Sequence, residues 1–252
     1  MYKILHTKHK RNIAYQYNKG KSSIGIIFLS GFKSDMYGSK AQYIFNWCKK
    51  NGIECTIFDY SGHGNSSEKF INCNLNTWIE DSIDVINNIT SNPQIIIGSS
   101  MGAWIAIRVT QFMPKNILGL ITIAAAPDFT EEIYKHILNK EQKKQLNKNG
   151  FLKIQSEYDK EGYLITKELI HSGNENLILN DSLYSIKCPI RLIHGKNDRD
   201  VSWKKSVQIF EKIKSQNAEL ILIKDGDHRL SNDNNLIAII NSVKSFISIL
   251  NQ

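Results

Sequence analysis

The pentapeptide Gly98-Ser99-Ser100-Met101-Gly102 has residue types and spacing suited to nucleophilic chemistry. It fits G-x-S-x-G, a strand-to-helix turn that carries one serine hydroxyl at its apex. The demand is steric. Side chains two residues before and after the serine would collide in so sharp a turn, and Gly98 and Gly102 remove them. A serine hydroxyl is a weak nucleophile, so a base must reach it and a third group must orient that base. In an elbow of this kind the chain order is serine, acid, histidine.

Seven histidines are available for the base. His6, His9 and His63 precede Ser100, and that order removes them. His136 and His171 fall in a stretch away from the sheet edge, and His194 ends a strand ahead of the acid it would have to follow. His228, in the loop Asp225-Gly226-Asp227-His228, remains. The acid belongs in the loop Gly195-Lys196-Asn197-Asp198-Arg199-Asp200. Spacing favours Asp198, and Asp200 reads equally well as a helix cap or surface charge. Two backbone amides must meet the oxyanion that forms on attack. Met101, at a helix N-terminus, supplies one, and Phe32, in Ser30-Gly31-Phe32-Lys33-Ser34-Asp35, supplies the other. The loop Asp59-Tyr60-Ser61-Gly62-His63-Gly64 packs beside it, with His63 in a structural role.

Such groups need strands that end together. Apolar, β-favouring runs predict strands near 2–6, 12–17, 24–30, 54–59, 94–99, 119–124, 189–194 and 219–224. Amphipathic patterns predict helices near 38–50, 75–90, 101–113, 202–215 and 234–250. After an opening hairpin with Lys8 to Arg11 at its turn, strands and helices alternate. The fold class is therefore α/β, a mostly parallel eight-stranded sheet covered by helices on both faces. In such a sheet the site lies at the carboxyl ends of the strands, where every group named above falls.

The alternation breaks at about 128–187, which reads as a lid insertion in a single domain spanning 1–252. Asp128 and Glu131 suggest a capping box opening a helix that closes near Gly150. Phe151 to Thr166 suggests two short strands around Asp159-Lys160-Glu161-Gly162, and a further helix runs to about Leu179. Ile133, Tyr134, Ile137 and Leu138 on the first lid helix are the candidate substrate contacts, suited to an acyl chain. The alternative is that they pack wholly against the main body and leave a short pocket.

Composition excludes other classes. At 252 residues, 41% hydrophobic and 22% charged, the chain has the make-up of a soluble globular protein. No apolar run reaches the length of a membrane span, and the N-terminus lacks the apolar core and cleavage site of a secretory signal. Cys48, Cys55, Cys73 and Cys188 have no metal-ligand or disulfide spacing, so a reducing, cytoplasmic setting is expected, with no metal and no cofactor. The net charge of +8 comes from scattered lysines without an aromatic-basic motif, which argues against nucleic acid as a partner.

Together these motifs resemble the α/β-hydrolase superfamily: Leu29-Ser30-Gly31-Phe32, Asp59-Tyr60-Ser61-Gly62-His63-Gly64, the elbow, His194-Gly195-Lys196-Asn197-Asp198, and Gly226-Asp227-His228-Arg229. Ser34-Asp35-Met36 combined with Gly-Asp-His-Arg is similar to the mitochondrial acyl-protein thioesterase and acyl-glucuronide esterase group and its bacterial relatives. The resemblance implies Ser100 as nucleophile, Asp198 as acid and His228 as base. Ser30 departs from it, since many relatives have histidine there. The expected activity is hydrolysis of small-molecule or acyl-protein esters and thioesters through an acyl-enzyme. The rivals are a small serine peptidase and a catalytically silent binding protein on the same fold.

Overall fold

The computed structural model describes residues 1–155, 162–180, 183 and 185–250. The main sheet has eight strands: β1 (Lys3–His6), β2 (Asn12–Asn18), β3 (Gly25–Leu29), β4 (Glu54–Phe58), β5 (Gln94–Ser99), β6 (Ile117–Ile123), β9 (Ile190–Gly195) and β10 (Ala218–Ile223). Their spatial order is β1-β2-β4-β3-β5-β6-β9-β10. β2 pairs antiparallel with β1 and β4, and every pairing from β4 to β10 is parallel. The expected mostly parallel sheet therefore forms, with the hairpin at one edge.

Strand alternation divides the core between two faces. Ile27, Leu29 and Ile96 point to one side, where α2 (Leu75–Ile89) and α3 (Met101–Phe112) contribute Trp78 and Trp104. Ile26, Phe28, Ile95 and Ile97 point to the other. There α1 (Ser39–Lys50) and α8 (Asp233–Leu250) contribute Ile44, Val243 and Phe246. Both faces being covered explains why β3 and β5 are buried at every residue. α2 begins where the Asn74 side chain accepts the Thr77 amide at 3.1 Å. α7 (Lys204–Lys212) is shorter than its expected span and has no side-chain cap, so Asp200 does not cap it.

Between β6 and β9 lie α4 (Phe129–Glu132), α5 (Lys140–Asn149), a separate antiparallel pair β7 (Phe151–Ile154) and β8 (Tyr163–Thr166), and α6 (Lys167–Glu175). The two short strands match the expectation, and the turn residues Asp159, Lys160 and Glu161 lie outside the described residues. The expected continuous helix from Asp128 to Gly150 is corrected. Asp128 sits in the left-handed region (φ 56°) and makes no capping bond. Its carboxylate instead accepts the Ile178 and Leu179 amides at 2.9 and 2.8 Å, tying the two ends of this segment together. The helix loosens into a π turn at Ile133–Ile137, and Leu138 is extended. A new helix starts at Asn139, whose side chain and that of Gln142 form a reciprocal capping box. Asn139-x-x-Gln142 was the readable signal for that boundary. Among the described residues no helix is long and apolar enough to cross a membrane.

Candidate active site

Ser100 lies between β5 and α3 with φ 56° and ψ −120°, a conformation that costs free energy for any residue with a Cβ. Neighbouring backbone holds it there. Its amide donates to the Ile123 carbonyl at 2.9 Å, and its carbonyl accepts from Ala103 and Ala126 at 3.0 and 3.2 Å. The two glycines are required by contact. A Cβ on Gly98 would lie 2.2 Å from the Gly102 oxygen, and one on Gly102 would lie 2.2 Å from the Leu29 oxygen. Gly102 thus brings α3 against the loop that follows β3. The same glycine sets the elbow and the spacing between the two expected oxyanion donors.

His228 reaches Ser100 from the loop after β10. Its Nε2 is 3.1 Å from Ser100 Oγ, and its Nδ1 is 2.7 Å from Asp198 Oδ2. Nδ1 therefore donates to the carboxylate, and Nε2 is free to accept the serine proton. The Asp198 side chain is fully buried. Its Oδ1 accepts the Asp200 and Val201 amides at 2.9 and 2.8 Å. Its Oδ2 also accepts from His194 Nε2 at 3.0 Å. Burial by itself would raise this carboxyl's pKa. Hydrogen bonds from His194, His228 and Val201, with the charge of His228, outweigh burial and hold it well below the usual carboxylate range.

Of the two acids in that loop, the structure places Asp198 on His228. Asp200 is exposed and contributes its amide. Asp198, Asp200 and His228 bring potential ligand atoms within 4.8 Å of one another. The Asp198 oxygens are already engaged by N–H donors, one of them from His228, so this cluster is committed to hydrogen bonding rather than to a metal.

The loop after β3 brings Phe32 beside the elbow. The Met101 amide opens α3 and has no partner within the helix. Among the described residues the Phe32 amide also has no protein acceptor. Its neighbours are engaged: Lys33 donates to His63 Nε2 at 3.2 Å, and Ser34 donates to the Gly31 carbonyl at 3.1 Å. His63 is buried, and burial pushes its pKa down to about 4, so near neutral pH Nε2 keeps the lone pair that accepts Lys33. Asp59 fixes the far side of the loop by accepting the Met36 and Asn65 amides, each at 2.7 Å. Ser30, the departure from the family pattern, bonds the Asp35 carbonyl at 3.3 Å and so supports the same loop. The Phe32 ring packs edge-on against Phe70, Trp78, Phe129 and Tyr163.

A cavity of about 720 Å³ opens over Ser100 and His228, within the usual range for small-molecule sites. Phe32, Phe129, Ile133, Ile137, Ile154 and Tyr163 give it an apolar side. Of the four residues expected to touch substrate, Ile133 and Ile137 line this cavity. Tyr134 and Leu138 do not: Tyr134 packs half-buried against the core with Lys143 over its ring, and Leu138, where the chain turns extended, is almost fully buried. At the opposite side, Lys40 Nζ donates to the Arg229 carbonyl next to His228. Burial lowers the Lys40 pKa to about 8, partly offset by Asp227.

Two contributors carry no motif of their own. His194 precedes the acid and so falls outside the expected order for the base, yet it bonds that acid directly. Its signal was the spacing His194-x-x-x-Asp198 across the strand end. Tyr163 at the cavity wall had no local signal, since only the β7–β8 pairing turns it toward Phe32.

Comparison with known proteins agrees with this architecture. The family described as serine aminopeptidase, S33, matches residues 22–176. The mouse (Mus musculus) protein named palmitoyl-protein thioesterase ABHD10, mitochondrial, is 34% identical over 237 residues, covering 94% of this chain and 79% of that protein. The solved structure of mouse alpha/beta hydrolase domain-containing protein 10 superposes with a TM-score of 0.90 at 32% identity, covering 99% of both chains. A structure from Agrobacterium vitis S4 superposes with a TM-score of 0.93 at 29% identity, covering 98% of both. With its elbow, its sheet order and these relatives, the chain belongs to the α/β-hydrolases, in the family described as serine aminopeptidase, S33, and is a hydrolase of the ester and thioester type.

Proposed function

We propose that this protein hydrolyses medium-chain acyl thioesters and esters through an acyl-enzyme formed on Ser100. The observation that carries the reading is the hydrogen-bonded line Ser100–His228–Asp198 beneath a cavity with an apolar side. Ser100 Oγ attacks the acyl carbonyl as His228 Nε2 takes its proton. Asp198 holds the imidazolium and its tautomer, and the Phe32 and Met101 amides receive the oxyanion. His228 then gives the proton to the departing thiol or alcohol. Water repeats the cycle on the acyl-enzyme and releases the acid and free Ser100. No step calls for a metal or organic cofactor.

The segment 128–187 serves as the lid, with Ile133, Ile137 and Phe129 along the acyl chain. Each buried methylene adds ~0.8 kcal/mol, roughly fourfold in kcat/KM when expressed in the transition state. The mouse relative's name, palmitoyl-protein thioesterase, supports a thioester as the leaving bond and an acylated protein among the substrates. The four free cysteines, three of them buried, suit a reducing compartment, and we place the chain in the cytoplasm.

The test is a chain-length series of p-nitrophenyl esters and acyl thioesters. Octanoyl substrates should exceed acetyl ones clearly in kcat/KM, and matched amides should be cleaved far more slowly. Equal rates on acetate and octanoate would remove the acyl-chain assignment. Preferential cleavage of aminoacyl amides, as the matched family's description suggests, would make the protein a peptidase instead. A fluorophosphonate should label wild type and Ser99→Ala and leave Ser100→Ala unlabelled; label on Ser100→Ala would refute the nucleophile.

A further inference from the structure

Asp198 Oδ2 is shared by two imidazoles. His228 donates to it at 2.7 Å, and His194, wholly buried near the end of β9, approaches at 3.0 Å. His194 Nε2 also lies 3.1 Å from the Val201 carbonyl. Both neighbours of that nitrogen are acceptors, so it carries the hydrogen. Its Nδ1 lies 2.7 Å from Ser206 Oγ on α7, which also is fully buried. In the neutral ring Nδ1 accepts the serine hydroxyl, and α7 thereby fixes the tautomer.

We propose that His194, held by Ser206, is a positioning residue that sets the orientation and basicity of Asp198 and, through it, of His228. The inference rests on the acyl-enzyme reading above. A carboxylate has about four lone-pair directions. Here the Asp200 and Val201 amides take those of Oδ1, and His228 and His194 take those of Oδ2. With all four occupied, the carboxylate has one orientation. Without His194, Oδ2 keeps a single donor and the plane of the group is free to tilt.

The electrostatic consequence has a definite sign. A donor on Asp198 disperses its negative charge, so losing that donor strengthens its pull on the His228 proton and raises the pH at which His228 becomes neutral. Among the described residues the charged groups around this line include Asp200 beside Asp198, Asp227 and Arg229 flanking His228, Lys40 on the Arg229 carbonyl, Lys205 next to Ser206 with its partner Glu132, and Lys33 and Asp35 on the cavity wall. None is altered by substitution at 194 or 206. If His194 served packing alone, an apolar residue of similar volume would leave the chemistry untouched.

The experiment uses the full chain with p-nitrophenyl octanoate, active sites being counted by fluorophosphonate end point. His194→Leu should lower kcat per titrated site about tenfold with little change in KM. It should also move the acid limb of kcat/KM upward by about half a pH unit. His194→Gln, which keeps an N–H near Oδ2, should recover most of the rate, and Ser206→Ala should shift the limb in the same direction by less. An unchanged kcat per site and an unmoved acid limb in His194→Leu overturn the proposal. Should that variant not fold, Ser206→Ala carries the test, and an unmoved limb there overturns it. Asp198→Asn is run alongside: if it is inactive while His194→Leu is normal, only the positioning role fails. If Asp198→Asn is fully active, the proposed function itself fails.

Discussion

Two regions meet over Ser100 and hold their residues by different means. At the carboxyl ends of β3, β5 and β9, the residues are fixed by backbone sterics and hydrogen bonds. Ser100 is pinned to Ile123 and Ala126, Asp198 accepts four N–H groups, and Lys33 leans on a buried His63. In the segment between β6 and β9 the helix slips from α to π at Ile133 and breaks at Leu138, and Ile137 is 59% exposed. There the wall is built by apolar packing, which is non-directional and accepts many arrangements. The first region has one geometry that works, as bond making requires. The second can vary in shape, because apolar contacts set no single geometry.

The sharpest way to break this contrast is at the acid. Asp198→Asn should leave the protein folded and reduce kcat about 10³-fold or more, because the amide no longer fixes the His228 tautomer. Asp200→Asn should change kcat by about threefold at most, since the amide it gives Asp198 survives the substitution. Steady-state kinetics on both variants decides; the reverse ranking would move the acid to position 200.

A second test concerns how firmly the edge is held. His63 has a folded pKa of about 4 against about 6.5 unfolded, so between these values the unfolded chain binds the extra proton. Its contribution is intact above about pH 6.5 and is lost as pH falls toward about 4, on the order of 3 kcal/mol in all. Urea unfolding followed from pH 7 to 4 should show this slope in wild type. In His63→Gln the slope should be shallower. Equal slopes would mean that His63 does not titrate as buried.

A far smaller loss than at Asp198 belongs to the roof. Ile137→Ala removes part of an apolar wall that is already half in water, so kcat/KM on octanoyl ester should fall about threefold to fivefold. Acetyl ester and the rate of fluorophosphonate labelling should be unchanged. A loss shared equally by both esters would tie the roof to the chemistry and blur the distinction between the two regions.

The edge was readable in the sequence because its demands act on single residue types. No side chain fits at Gly98 or Gly102, so those letters announce the turn. The chain order, with His136 and His171 in the inserted segment and His194 ahead of the acid, then leaves His228, and the loop after β9 offers Asp198 and Asp200. The roof was read less well. Asp128 and Glu131 look like a capping box, yet the Asp128 carboxylate bonds amides fifty residues away, a competition that no local pattern reveals. Tyr134 and Leu138 share an apolar character with Ile133 and Ile137, and which of them faced the cavity depended on where the helix broke.

The order of strands and helices, the elbow, and a shortlist of nucleophile, base and acid are legible in the residues alone. Those follow from side-chain volume, strand and helix periodicity and turn sterics, all of which act over a few neighbours. It takes the assembled sheet to set Asp198 rather than Asp200 against His228, to bring His194 to the same oxygen, and to turn Ile133 and Ile137 to the cavity. These depend on the register of β9 against β6 and β10 and on the packing of a broken helix across the sheet edge. Hydrogen bonds form only when donor and acceptor arrive within about 3 Å at the right angle, and residues far apart in the chain reach such distances only once the whole sheet is assembled.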